Sequence, residues 1–103
     1  MDLSEALSII KDALKSEYVE SRHFKDQCQD RQLDIDVIKK LIMNPEILGI
    51  TEQNENQYKI WLKYDSRKDL NIILGILPDK KLRLVTLFPS YIERRIRNER
   101  RKG

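Results

Sequence analysis

The chain has 103 residues, of which 36% are charged and 40% apolar, with three glycines, three prolines and a net charge of +3. A single cysteine excludes an internal disulfide, and the longest apolar run, 72–77, is far short of a membrane span. The length predicts one domain over 1–103 with a single modest core. Asp2 and Glu5 precede any apolar stretch, unlike a secretory signal, so the expectation is a cytoplasmic protein with no membrane contact.

Leu3, Leu7, Ile10 and Leu14 recur at helical spacing, with Ala6 and Ala13 beside them, which predicts a helix within 1–16. Asp2 and Glu5 form a capping box at its start. Tyr18 and Val19 break the pattern as a short extended link. Ser21 is a good N-cap for a second helix, S-R-H-F-K-D-Q-C-Q-D-R over 21–31. On it, His23, Gln27 and Arg31 share one face, and Phe24 and Cys28 form an apolar stripe beside them. That row combines a group that titrates near neutral pH with a fixed positive charge. Asp34 caps a third helix with Val37, Ile38, Leu41 and Ile42 inward, and Asn44-Pro45 stops it.

After Pro45 the apolar period changes from near 3.6 to 2. Ile47, Leu48 and Ile50 predict a first strand, and 53–57 reads as a hairpin turn. Tyr58, Ile60, Leu62 and Tyr64 alternate with Lys59, Trp61 and Lys63. After a turn over 65–69, residues 70–77 read as a near-continuous apolar strand, central in its sheet. Pro78-Asp79-Lys80-Lys81 is a further turn. Leu82, Leu84, Thr86 and Phe88 alternate with Arg83, Val85 and Leu87 in the last strand, and Pro89 ends it. Ser90 and Glu93 form a second capping box, for a helix over 90–101. The order predicts an α+β fold: N-terminal helices on one face of an antiparallel sheet of about four strands, then a basic C-terminal helix. The other face displays Lys59, Trp61, Lys63 and Arg83.

Charge is uneven. Over residues 91–103, six basic side chains, Arg94, Arg95 and Arg97 among them, stand against two acidic ones, leaving +4 and an almost neutral body. Such a tail suits contact with nucleic acid or an acidic partner; a solvated terminal helix is the plain alternative.

One histidine and one cysteine cannot make a tetrahedral zinc site, so no metal is expected, and no cofactor motif is present. Cys28 and His23, at i and i+5, point about 140° apart on a helix, which separates them as a nucleophile pair. What remains is a cationic surface bearing an aromatic ring. Lys59, Trp61, Lys63 and Arg83 on adjacent strands suit phosphates and a stacked base. RNA cleavage by the 2′-hydroxyl needs a base, an acid and cations for the charged phosphorane. Each residue also has a structural reading. His23 suits a helix edge, Arg31 a pair with Asp30 or Asp34, and Trp61 half-buried filler under the C-terminal helix. Thr86 suits strand packing, and Cys28 a small buried apolar position.

Three pieces of 21–89, about two-thirds of the chain, carry a family resemblance. One is the helix head His23, Gln27, Arg31 with the short helix and Asn-Pro break after it. Another is the run of strands with a basic, aromatic hairpin. The third is a terminal strand ending Val85-Thr86-Leu87-Phe88-Pro89. Together they resemble a small family in the RelE/ParE-like branch of the barnase–EndoU–colicin–RelE ribonucleases. That family often has a second arginine where this chain has Gln27. The resemblance implies a toxin-like fold, RNA or the ribosome as target, an antitoxin partner, and a cleft lined by His23, Arg31 and Thr86. The expected activity is then a metal-independent endoribonuclease of the toxin–antitoxin type. In it His23 moves the proton, Arg31 and Lys63 stabilise the phosphorane, and Thr86 orients the phosphate. The alternative is a non-catalytic nucleic-acid-binding or protein-interaction module, including a ParE-like topoisomerase inhibitor.

Overall fold

Asp2 opens the first helix by accepting the Glu5 N–H at 2.8 Å, which satisfies one of the amides a helix start leaves without a partner. In the structure, a computed structural model that describes residues 2–16 and 18–92, the order is α1 (Leu3–Ser16), β1 (Tyr18–Glu20), α2 (Arg22–Asp30), α3 (Ile35–Met43), β2 (Ile47–Asn54), β3 (Gln57–Lys63), β4 (Lys68–Ile76) and β5 (Leu82–Tyr91). The class is α+β, as the change of period after Pro45 implies. Ala6, Ile10, Ala13 and Leu14 of α1 are buried, and so are Ile38 and Ile42 of α3.

Helix α2 is mostly polar and buries only Phe24 and Cys28. Its attachment therefore depends on its ends. Ser21 accepts the Phe24 N–H at 3.0 Å and donates its own hydroxyl to the Val85 carbonyl at 2.8 Å. Its main-chain N–H bonds the Leu84 carbonyl at 3.0 Å. At the other end Gln32 has φ 54°, in the left-handed region. The Leu33 N–H reaches the Cys28 carbonyl at 2.9 Å and the Gln32 N–H reaches that of Gln29 at 3.1 Å, a Schellman closure. Asp34 then caps α3 by accepting the Asp36 N–H at 2.9 Å.

The sheet has five strands in the order β1-β5-β4-β3-β2. Four of them form the antiparallel meander expected from the alternating pattern. The fifth is a correction: Tyr18–Glu20 is a strand, pairing parallel with β5 from Tyr18 opposite Leu82 to Glu20 opposite Leu84. The sheet is thus mixed. Three residues are too few to display a period, and their partner lies at the far end of the sequence. β4 is central, with Leu70, Ile72 and Leu74 fully buried. Its core face aligns with Tyr58, Ile60 and Leu62 of β3 and with Leu84, Leu87 and Pro89 of β5. All three helices bury their apolar stripes in this one cluster.

The last strand also differs from expectation. β5 passes through Pro89, which lies opposite Leu70, and runs to Tyr91. A proline fits there because β1 has ended by Leu84, so this flank of β5 is an edge and needs no ladder bond. Ser90 and Tyr91 are therefore strand, not the start of a helix; Ile92 is helical, and residues 93–101 of the predicted helix lie outside the described residues. A register shift at Ile73/Leu74 leaves Val85 unpaired as a bulge.

Ser21→Ala removes both an N-cap and the hydroxyl bond to Val85 of β5 while keeping the main-chain bond to Leu84, so urea unfolding should show a loss of about 2 kcal/mol. An unchanged midpoint would refute that role. Asp65 accepts the Arg67 and Lys68 N–H groups, each at 2.8 Å. These bonds, that from Arg67 first, hold its carboxyl below the ordinary 3.8. A carboxyl depressed in the fold stabilises it above the unfolded value and loses that contribution as pH falls through the folded value. Asp65→Ala should therefore melt lower than wild type at neutral pH. The gap should close progressively below pH 3.8. A gap that stays constant into acid would show that the carboxylate is not what matters.

Candidate nucleic-acid interface

Residues paired across an antiparallel ladder point to the same side of the sheet, and each side alternates along a strand. With Leu70, Ile72 and Leu74 committed to the core, Asn71 and Ile73 face the other way. Their partners follow: Thr51, Lys59, Ile73 and Thr86 form one row across β2 to β5. Gly49, Trp61, Asn71 and Phe88 form the next, and Lys63, Asp69 and Ser90 the third. Arg83 pairs with Gly75 on the same face, across β4 from Gln57 and two strands from the lysines. None of the described helices packs on this side.

Lys59, Trp61, Lys63, Arg83 and Thr86 thus share one surface, where alternation places the first four. Lys63 and Arg83 are exposed, while Lys59, Trp61 and Thr86 are half-buried. The Lys59 ammonium stands 5.9 Å from the centroid of the Trp61 ring, a cation–π contact. The Trp61 indole N–H is buried and makes no hydrogen bond. Asn71 donates to the Phe88 carbonyl at 3.2 Å and to the Ser90 hydroxyl at 2.8 Å, which anchors the middle of the face. Asp69, 1% exposed, stands in register between Lys63 and Ser90. The sequence offers neither Asp69 nor Asn71 as a site residue, and it reads Ser90 only as a helix cap. Asp69 reads there as a turn residue, and Asn71 sits inside an apolar run without a motif around it.

The other candidates lie on α2. His23 and Arg31 are exposed, and Arg31 donates from Nε to the Gln27 amide oxygen at 2.9 Å. That bond, not one to Asp30 or Asp34, fixes Arg31. Phe24 and Cys28 anchor α2 in the core cluster, on the helix side of the sheet. The structure therefore brings Lys63 and Thr86 onto one face and keeps His23 and Arg31 together in the helix layer. It does not bring the four onto one surface. Cys28 is buried, and burial first, then the Glu20 charge, pushes its thiol pKa up. A protonated, enclosed thiol on a different face of the helix from the exposed histidine is a packing group, not a nucleophile. Arg94, Arg95 and Arg97 lie outside the described residues.

Among the described residues, no group of three or more His, Cys, Asp or Glu is placed to hold a metal ion. No described helix is long and apolar enough to cross a membrane. Comparison with protein-family models, with curated proteins and with solved structures returns no match.

Proposed function

We propose that this protein binds RNA through the side of its sheet that faces away from the helices. The observation that carries this reading is the placement of Lys59 and Lys63 on either side of Trp61 along β3, with Arg83 on the same face two strands away. Cations neutralise phosphates, an indole face accepts a base, and the hydroxyls of Thr86, Thr51 and Ser90 supply donors between them. A sheet is also a rigid support. Its ladder fixes the spacing of these groups before any ligand arrives, which lowers the ordering cost of binding.

A cutting activity of the RelE-like kind is the second reading. It is favoured by His23, exposed in the first turn of α2 and without a hydrogen bond among the described residues. Binding ranks first because the proposed base and Arg31 sit in the helix layer, while Lys63 and Thr86 sit on the opposite face.

Binding to a short labelled single-stranded RNA should weaken with salt. Replacing Lys63 and Arg83 by alanine should make the slope of log affinity against log salt shallower by about 0.7 per charge removed. An identical slope would move the phosphate contacts elsewhere. For the second reading, His23→Ala should slow RNA cleavage about a hundredfold with little change in melting temperature. Wild-type protein that binds RNA and never cuts it would leave the binding module alone.

A further inference from the structure

We infer that Trp61, seated on Gly49, is a base-stacking site that makes this face select single-stranded over duplex RNA. The inference deepens the RNA-binding reading above and rests on it. Gly49 lies directly opposite Trp61 on β2. A Cβ built on Gly49 would fall against Cζ2, Cε2 and Cη2 of the indole, closer than carbon atoms ever approach. The six-membered ring therefore occupies the space a side chain at 49 would fill. Backbone conformation does not explain the glycine, since no glycine of the chain has positive φ among the described residues. Space does: any larger residue would lift the ring off the strand.

A tryptophan that covers a strand glycine is a known packing device, and it would account for the ring's position by itself. One further observation points outward to a ligand. The Lys59 ammonium is held 5.9 Å from the ring centroid, where it can reach the phosphate of a nucleotide stacked on the same ring. The indole N–H is buried and out of a ligand's reach, so the ring's use to a ligand is its π-face. A nucleotide offers a base for that face and phosphate oxygens for the cation. In a duplex the base faces are stacked on one another and closed to a side chain, whereas a single strand presents them. Phosphate contacts through Lys63 and Arg83 serve both forms. Discrimination between them then falls to Trp61, and Gly49 is its positioning residue.

Trp61 is the only tryptophan of the chain, so its emission reports on this one place. The experiment measures affinity for a short single-stranded RNA and for its duplex, at one salt concentration, with the full chain and with Trp61→Ala, Trp61→Phe and Gly49→Ala. Single-stranded RNA should quench the emission and bind about tenfold tighter than duplex. Trp61→Ala should lower single-strand affinity about five- to a hundredfold and leave duplex affinity within about twofold, and Trp61→Phe should recover most of the loss. Gly49→Ala should shift the emission of the free protein and lower single-strand affinity although the tryptophan is still present. Circular dichroism checks each fold. If Gly49→Ala fails to fold, the Trp61→Ala and Trp61→Phe pair decides. Equal binding of single strand and duplex, untouched by Trp61→Ala, overturns the inference and leaves RNA binding standing. No binding of either RNA overturns both.

Discussion

Two neighbouring carbonyls on β5, those of Leu84 and Val85, are taken by a single serine, and the arrangement of the layers depends on that junction. Ser21 bonds Leu84 through its N–H and Val85 through its hydroxyl, while its side chain also caps α2. The bulge at Val85 is what makes this possible. Here β5 leaves its pairing with β1 behind and carries an extra residue against β4, so a carbonyl is released from regular pairing. The same extra residue keeps the pattern in step. Leu84 and Leu87, three apart, both reach the core, which strict alternation would forbid. One irregularity thus ends the parallel pairing, seats a polar helix, and corrects the register of the last strand.

A sheet packed on one side has to solve its other side differently. Here the solution is a line of long cations, a tryptophan laid over a glycine, and polar groups tied to one another across the strands. Lys63 is exposed, and Lys59 is half-buried opposite Ile73 with its ammonium over the Trp61 ring. Asn71 binds both a carbonyl and a hydroxyl of β5, so a buried amide in the central strand is satisfied rather than costly. These features are compatible with stability alone. Two lysines flanking one ring on a single strand are not required by it, since self-repulsion among like charges opposes their clustering.

Much of this was readable from residues. Ser21, Asp34 and Asp2 cap the helices they were expected to cap, because side-chain acceptors for free amides are local chemistry. The alternation of Lys59, Trp61 and Lys63 with Tyr58, Ile60 and Leu62 fixes sidedness, and the buried set is the one expected. What escaped was non-local. β1 gains its identity from β5, across most of the sequence. Pro89 reads as a stop until the flank beside it is known to be an edge. Gly49 is silent in the sequence because its role is the absence of a side chain, visible only when Trp61 is placed over it.

The same distinction bears on chemistry. Helical spacing put His23, Gln27 and Arg31 on one face, and the Arg31–Gln27 bond joins two of them. Spacing says nothing of what lies across the sheet. A proton transfer needs its partners within about 3 Å, and packed layers stand roughly 10 Å apart. Lys63 and Thr86 project from the side of the sheet away from α2, so a single phosphate cannot meet all four in this arrangement. A ligand gripped by the cationic face is held by binding groups without the histidine. Cleavage would require the RNA to wrap the β5 edge and present a second phosphate to His23, a longer and more specific substrate than binding alone demands. In this arrangement α2 serves first to close the core over β5, and the residues it exposes stand apart from the cationic face.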